Sequence, residues 1–185
     1  NLTNPFPSVG GHTSTRSSDV PVGYVRTFGK VSNNARLDFN RSRISTQNLY
    51  AFNQHVTGNL GITGVSTNPF DWGLPNLSFT HFGSLNDTNP QLLRNQTWTF
   101  SDSLIYRRGQ HTWRWGGDFR RIEVNPESDS NARGTFTFTG VNSGYDFADF
   151  LLGLPQLTSV QFGNNHYHFR GTTGDLLVPD DWRRR

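Results

Sequence analysis

NQTWTFSDSLIYRRGQHTWRWGGDFRRIEV, residues 95–124, reads as one long hairpin. On its first arm Trp98, Phe100, Leu104 and Tyr106 share one parity, while Thr97, Thr99, Ser101 and Ser103 take the other. That is the period-2 signature of a strand with an apolar and a polar face, with Ile105 as the exception. On the second arm Trp113, Trp115 and Phe119 oppose Thr112, Arg114, Asp118 and Arg120, and residues 107–110, with Gly109 among them, make the turn. Each arm extends to roughly 14–17 residues, far beyond the ~5–6 of an ordinary globular strand.

Composition agrees with an all-β chain. Of 185 residues only 32% are hydrophobic, yet 14% are aromatic, so the apolar content sits in rings spaced at alternating positions, and Gly is abundant at 19. Cysteine is absent, which excludes disulfides and thiolate metal sites. The net charge of +3 and high pI come almost wholly from Arg, with Lys30 the single lysine. These cations are scattered among acids and aromatics until the terminal Arg183–Arg185, which argues against nucleic acid as a partner. No run of ~18 apolar residues occurs, so a transmembrane helix is excluded, but strands of ~10 alternating residues can span a membrane. The opening NLTNPFP has neither an initiator Met nor a signal peptide, as expected of a piece from a longer chain.

Along the chain, residues 1–19 read as loop. Val20, Val22, Tyr24 and Phe28 predict a strand with Arg26 on its apolar parity, residues 29–34 a turn, and Ala35, Leu37 and Phe39 a second strand to about Ser45. Residues 46–90 lose the alternation and form a long loop with a short strand at 77–82. After the hairpin, 125–133 is turn-like, 134–140 is a short strand, and 145–154 is the one good helix, with Asp146 or Ser143 as its cap and Phe147, Phe150 and Leu151 as its apolar face. Residues 157–170, a turn at 171–174 and a closing strand interrupted by Pro179 complete three strand pairs. Short turns at one end and long segments at the other are the asymmetry of outer-membrane barrels. The fold expected is therefore all-β, with antiparallel up-and-down strands forming part of a transmembrane barrel and one short helix in a loop.

The blocks RGQHTWRWGGDFRR (108–121), GTFTFTG (134–140), YDFADFLLGLPQ (145–156) and DDW (180–182), with NARLDFNRSRIS (34–45) and NPFDWGLPNLSF (68–79), resemble the β-barrel domain of TonB-dependent outer-membrane receptors of the Oar-like, acidobacterial type. The resemblance covers most of the chain from about Asn34. It implies a barrel of roughly 22 strands around an N-terminal plug, importing a ligand with energy delivered through a TonB box. Residues 1–185 would supply about six of those strands and neither plug nor TonB box. The implied partners are outer-membrane lipid and lipopolysaccharide, the rest of the barrel and plug, and the TonB system through the part not in this chain. The Pro179 interruption and Arg-rich ending depart from the family's continuing strand.

Few residues suggest chemistry. His166 and His168 flank Tyr167 and would share a strand face, a geometry open to metal, but no third ligand follows by spacing. Asp146, Asp149, Asp180 and Asp181 have no nucleophile or orienting partner, and the first two read as solvated helix-capping groups. No catalytic, cofactor or metal residue is assigned, and no enzyme activity is expected. Trp98, Trp113, Trp115 and Phe119 read as the lipid-facing band, and Arg114 and Arg120 as lumenal, since Arg at the bilayer midplane costs about 2–4 kcal/mol. Apolar parity shifts to Ile122 and Val124, which places either a bulge at Arg120 and Arg121 or the membrane rim there. The competing class is a soluble β-sandwich that binds carbohydrate, with the tryptophans in a closed core or a stacking platform. The ligand-contacting parts expected are residues 46–90 and 125–156.

Overall fold

The computed structural model describes residues 9–163 and 165–183. Its elements in order are β1 (Gly11–Phe28), β2 (Val31–Asn48), α1 (Val56–Asn59), a 3-10 turn at Pro69–Asp71, β3 (Asn76–Phe79), β4 (Gly83–Leu85), β5 (Gln91–Arg108), β6 (His111–Ser128), β7 (Thr135–Phe138), α2 (Asp146–Leu151), β8 (Leu157–Ser159), β9 (Phe169–Leu177) and β10 (Asp180–Trp182). They build a large sheet ordered β1-β2-β5-β6, with β9 and β10 both on the far side of β6, and a small sheet ordered β4-β3-β7-β8. The large sheet is open, with edges at β1 and at β9 and β10.

β1, β2, β5 and β6 are 18 residues each. Two-residue turns join them in pairs, Gly29–Lys30 and Gly109–Gln110, and the leading glycine of each has positive φ, 57° and 63°. A side chain resists that conformation, so glycine is the residue that lets two long strands reverse so tightly. The two turns lie at the same end of the sheet, because the Arg107 N–H donates to the Lys30 carbonyl at 3.0 Å. The long connections, 49–90 and 129–168, leave from the opposite strand ends.

Three expectations are corrected. Residues 1–8 of the supposed leading loop lie outside the described residues, but 11–19 are strand, tied to β2 by Thr13 to Thr46 (2.9 Å) and Ser17 to Ser42 (3.4 Å). Both faces of β1 are polar there, so no alternation marks it. Residues 171–174 are not a turn. They lie inside β9, with Gly171 opposite Ile122 and Gly174 opposite Phe119. Pro179, finally, interrupts the ladder without shifting its register, since Leu177 faces Gly116 and Asp180 faces Trp113 on the same count. The Pro179 carbonyl still accepts from the Arg114 N–H at 3.0 Å, and only the return bond needing a proline N–H is lost. β9 and β10 are therefore two halves of one line.

The described residues divide into two compact units, a wall (15–43, 93–125 and 167–183) and a head (9–14, 44–92, 126–163 and 165–166). Within the head, β3 runs parallel to β7, pairing Leu77 with Phe136 and Phe79 with Phe138, so the two long connections are folded together. Phe79, Phe138 and Phe150 meet at 5.3–5.5 Å between ring centroids, and Phe147 of α2 lies 5.8 Å from Phe150. Leu151 was expected on this face but is 70% exposed. A six-residue helix turns fewer than two times, and its two phenylalanines already fill the contact with the sheet.

Candidate functional site

The wall has two chemically distinct faces, and contacts between strands fix which residue stands on which. The Phe39 and Trp98 rings meet at 4.2 Å, Gln96 Nε2 donates to Glu123 Oε2 at 2.6 Å, and Gly117 pairs with Leu176. Val20, Val22, Tyr24, Phe28, Leu37, Phe39, Trp98, Phe100, Leu104, Tyr106, Trp113, Trp115, Phe119 and Leu176 thus share one face. Many of these are open to the surroundings: Trp98 is 43% exposed, Trp113 37%, Trp115 39% and Leu176 92%. That is the opposite of a sandwich core, and the tryptophans are not enclosed by a second sheet among the described residues.

The depth of this band matches a bilayer. Trp98 and Tyr106 are eight residues apart on β5, about 27 Å along the strand and roughly 20 Å across a membrane at the ~40° tilt of a barrel strand. Aromatic rings close both ends. At the turn end Trp113 stacks on Trp115 (6.3 Å, 8°), and His111 lies between Trp113 and Trp182 at 6.1 Å from each. Arg26, near the same end, lays its guanidinium 4.3 Å over the Phe28 ring, an arrangement that keeps its stem apolar and its head at the interface.

The opposite face is polar. Asn34, Arg36, Asp38, Thr97, Thr99, Ser101, Ser103, Arg114, Asp118, Arg120 and Asp175 line it, with Arg36 Nε paired to Asp38 at 2.8 Å and Asp118 directly opposite Asp175. Arg114 reaches Asp181 at 3.5 Å. Both lumenal arginines expected from parity, Arg114 and Arg120, stand here. No bulge occurs where the apolar parity shifts, because β6 pairs with β9 without a break from Gly116 to Val124. The shift marks the band's rim instead. Beyond Phe119 the outer face carries Arg121, Glu123, Arg170 and Thr172, joined by Arg121 to Thr172 at 2.7 Å and Arg170 to Glu123 at 3.7 Å.

The head is held by buried polar side chains more than by an apolar core. Asn48, 2% exposed, donates to the Trp72 carbonyl (2.9 Å) and accepts from the Tyr50 and Ala51 N–H groups (2.9 and 2.7 Å). Asp87 accepts from the N–H groups of Leu74 (3.0 Å) and Thr88 (2.8 Å). Arg133, 3% exposed, donates to the Thr88 carbonyl (3.3 Å) and Asn89 Oδ1 (2.8 Å), in the field of Asp87, Asp71 and Asp129. Burial pushes the Asp71 and Asp87 carboxyls above the usual 3.8, against the pull of hydrogen bonds from Ser66 and from Leu74 respectively and of the Arg133 charge on both, and burial also lowers Arg133.

Asp146 and Asp149 are buried in a second polar cluster of the head, around α2. They are not solvated caps: both are fully buried, and the helix begins after Tyr145 with no side-chain cap. Asp146 accepts from the His81 N–H (2.6 Å) and the Phe147 N–H (2.8 Å), binding the β3–β4 turn to α2. Asp149 accepts from the Ser143 hydroxyl (2.6 Å) and N–H (2.8 Å) and the Asn142 N–H (3.3 Å). Burial raises the Asp146 carboxyl, but the bonds from His81 and Phe147 outweigh it and hold it below its usual range; Ser143 holds Asp149 low in the same way, against burial.

The other sequence candidates separate. Asp180 Oδ2 accepts from His111 Nδ1 at 2.8 Å and belongs to the wall, as does Asp181, whereas Asp146 and Asp149 belong to the head. His166 Nε2 lies 3.4 Å from Glu127, and His168 bonds Asn125 at 2.8 Å, so each histidine has its own partner. Among the described residues no three His, Asp or Glu side chains converge as a metal site would require. Sequence reasoning missed the Asn48, Asp87 and Arg133 network and an apolar cavity of about 380 Å³ in the head lined by Leu60, Ile62, Leu74, Leu77, Phe136 and Phe150. The available signal was Asn or Asp two residues before a backbone N–H it could cap, as at Asn48, Asn68 and Asp129.

No curated protein and no solved structure matches the chain. A family model described as outer membrane beta barrel domain matches residues 1–185. Lipid-depth aromatic band, polar opposite face, tight turns at one end and long connections at the other are what that family requires of its strands. The chain belongs to the outer membrane β-barrel domain family, and its place is the bacterial outer membrane.

Proposed function

We propose that this chain is the wall and part of the external loop structure of a TonB-dependent transporter of the Oar-like type, taking up a ligand that its loops help to capture, with no catalysis of its own. The observation that carries this reading is the head. The connections 49–90 and 129–163 carry defined strands and helices, are joined by the parallel β3–β7 pair, and line an open apolar cleft beside Leu77 and Phe136. A receptor that selects its cargo builds its recognition surface from loops held on a rigid scaffold. The polar wall face, with Arg36, Asp118 and Arg120, is suited to a water-filled or plug-filled lumen.

The experiment is a pull-down of the full-length protein, folded in detergent, on the immobilised periplasmic domain of TonB from the same cell. Retention of the protein is expected. No retention, with the barrel folded, would remove transport through TonB and leave a barrel of another purpose.

A further inference from the structure

We infer that the open apolar cleft of the head is a binding site for a small uncharged aromatic molecule of about two fused rings. The inference rests on reading the head as a receptor's recognition surface, and it names the chemical class of the cargo. Leu85, Leu77 and Phe136 stand directly opposite one another across β4, β3 and β7, so they form one row on one face of the small sheet. Phe79 and Phe138 form the next row, roughly 7 Å along the strands. Phe150 of α2 covers that second row, with its ring 5.5 Å from Phe79 and 5.3 Å from Phe138, and Phe138 is buried. α2 has only six residues, and the first row stays half-buried at the floor of the cleft. Beyond the helix Gly153, with φ 68°, turns the chain, and the Gln156 N–H rejoins β7 at the Thr137 carbonyl (2.8 Å), which sets Pro155 as one wall. Leu60 and Ile62 make another, where Gly61, with φ 74°, ends α1 and the Ile62 N–H donates to the Thr57 carbonyl at 3.1 Å.

Both walls hang on hydrogen-bonded segments, so the cleft exists before anything enters it, and a formed site binds at a lower ordering cost. Among the described residues no charged side chain lines it, and its two prolines, Pro75 and Pro155, have no N–H to offer. An ion or a polyol would lose water there and gain no side-chain partner in exchange. An apolar ligand instead releases water from leucine and phenylalanine surface, and Phe136 and Phe150 can meet a ring edge-on or offset. Size decides between a small molecule and a protein. An apolar cavity of roughly 150 Å³ holds one benzene, so the cleft, at about 380 Å³, holds two fused rings with a substituent. A stable protein partner needs an interface of roughly 1,200–2,000 Å², far more than a notch of this volume provides.

The test uses the full-length protein in lipid nanodiscs and three fluorinated probes of one ring size, followed by fluorine NMR: neutral 5-fluoroindole, cationic 5-fluorotryptamine and anionic 5-fluoroindole-2-carboxylate. Empty nanodiscs correct for partition into lipid. Saturable binding of 5-fluoroindole is expected, with the two charged probes at least about tenfold weaker. Leu60→Asp/Leu85→Asp, which sets charge in the cleft, should weaken 5-fluoroindole about tenfold, whereas Leu60→Met/Leu85→Met should retain it. Leu152→Asp, as exposed as Leu60 but outside the cleft, should leave binding unchanged. Hydrogen exchange across 129–138 confirms that the head is folded in each variant before it is compared. No saturable binding by wild type, as when another loop of the barrel fills the cleft, would overturn the site. So would equal affinity for the charged probes, undiminished binding in the Asp double variant, or equal loss in Leu152→Asp. Binding is read without TonB, so the two readings fail separately: retention on TonB without 5-fluoroindole binding removes the apolar cargo alone, and binding without retention removes transport and leaves the site.

Discussion

Asn33 Nδ2 donates to Asp102 Oδ1 at 2.6 Å across the seam between β2 and β5, on the face that otherwise carries Leu37, Phe39, Trp98, Phe100 and Leu104. Asp102 stands midway between the Trp98 and Tyr106 ends of the band. The pair is a polar island at the depth where hydrocarbon is driest.

Removing that island is expected to stabilise the barrel. Asn33→Leu/Asp102→Leu takes a charge and an amide off the lipid face, and the gain expected is about 1–2 kcal/mol, somewhat under the penalty of a midplane Lys or Arg. Urea midpoints in vesicles, followed by tryptophan fluorescence, report it. A lower midpoint in the double variant would mean that this part of the face meets a protein surface and not lipid.

Trp115→Arg places a guanidinium on the same face and should block membrane assembly or cost about 2–4 kcal/mol if assembly occurs. Arg114→Trp, one residue away but lumenal, is expected to assemble. Heat-modifiability and protease protection in cells distinguish the two, and normal assembly of the Trp115 variant would refute the lipid assignment of that face.

Arg133→Leu should loosen the head. It leaves Asp71, Asp87 and Asp129 buried without their cation, a change that typically costs about 3–5 kcal/mol. Hydrogen exchange across 66–90 and 129–135 is expected to accelerate while the wall strands 95–106 and 113–122 keep their protection. Uniform acceleration in both regions would show that the charge supports more than the head.

The head's response to pH should change sign. Asp71 and Asp87 have carboxyls raised by burial, so the folded head binds their protons more readily than the unfolded chain, and lowering pH from 7 toward the ordinary 3.8 relieves that burial and firms the segments around them. Asp146 and Asp149 are depressed: their contribution is present above 3.8 and is lost as pH falls further through their folded values. Exchange rates corrected for intrinsic pH effects should therefore slow near 66–90 on mild acidification and rise at 140–151 only below about pH 4. Simultaneous loosening of both segments between pH 7 and 5 would contradict the burial of Asp71 and Asp87.

Much of the wall was legible because every second residue had to satisfy hydrocarbon. Trp98, Phe100, Trp113, Trp115 and Phe119 gave their face, and Gly109 its turn, whereas the turn expected over 29–34 is only Gly29–Lys30, with 31–34 already in β2. Where the strands pass beyond the apolar depth that demand ends. Residues 12–19 are Thr, Ser, His, Arg and Asp on both faces, and nothing in their order distinguishes strand from loop. The head was hidden for a related reason. Its interior is built from Asn48, Asp87, Arg133, Asp146 and Asp149, residue types that composition assigns to the surface, and only the hydrogen-bond partners that the fold brings to them explain their burial. Pro179 misled in the other direction, since a residue that lacks one ladder donor need not displace its neighbours.

The two tight turns also set an order of events in assembly. Closing Arg108 onto His111 spans Gly109 and Gln110, and each later rung of β5 on β6 adds almost no further loop entropy, so the hairpin can zip from its tip; β1 and β2 do likewise from Gly29. The seam between β2 and β5 has no such help, because the whole 49–90 connection intervenes. Two prefabricated hairpins must find their alignment there by side chains alone. Phe39 against Trp98 tolerates sliding, but Asn33 against Asp102 has one correct setting, and a slip of the seam would strand both groups in hydrocarbon. The polar island that weakens the finished wall is, on this view, the peg by which its halves are registered.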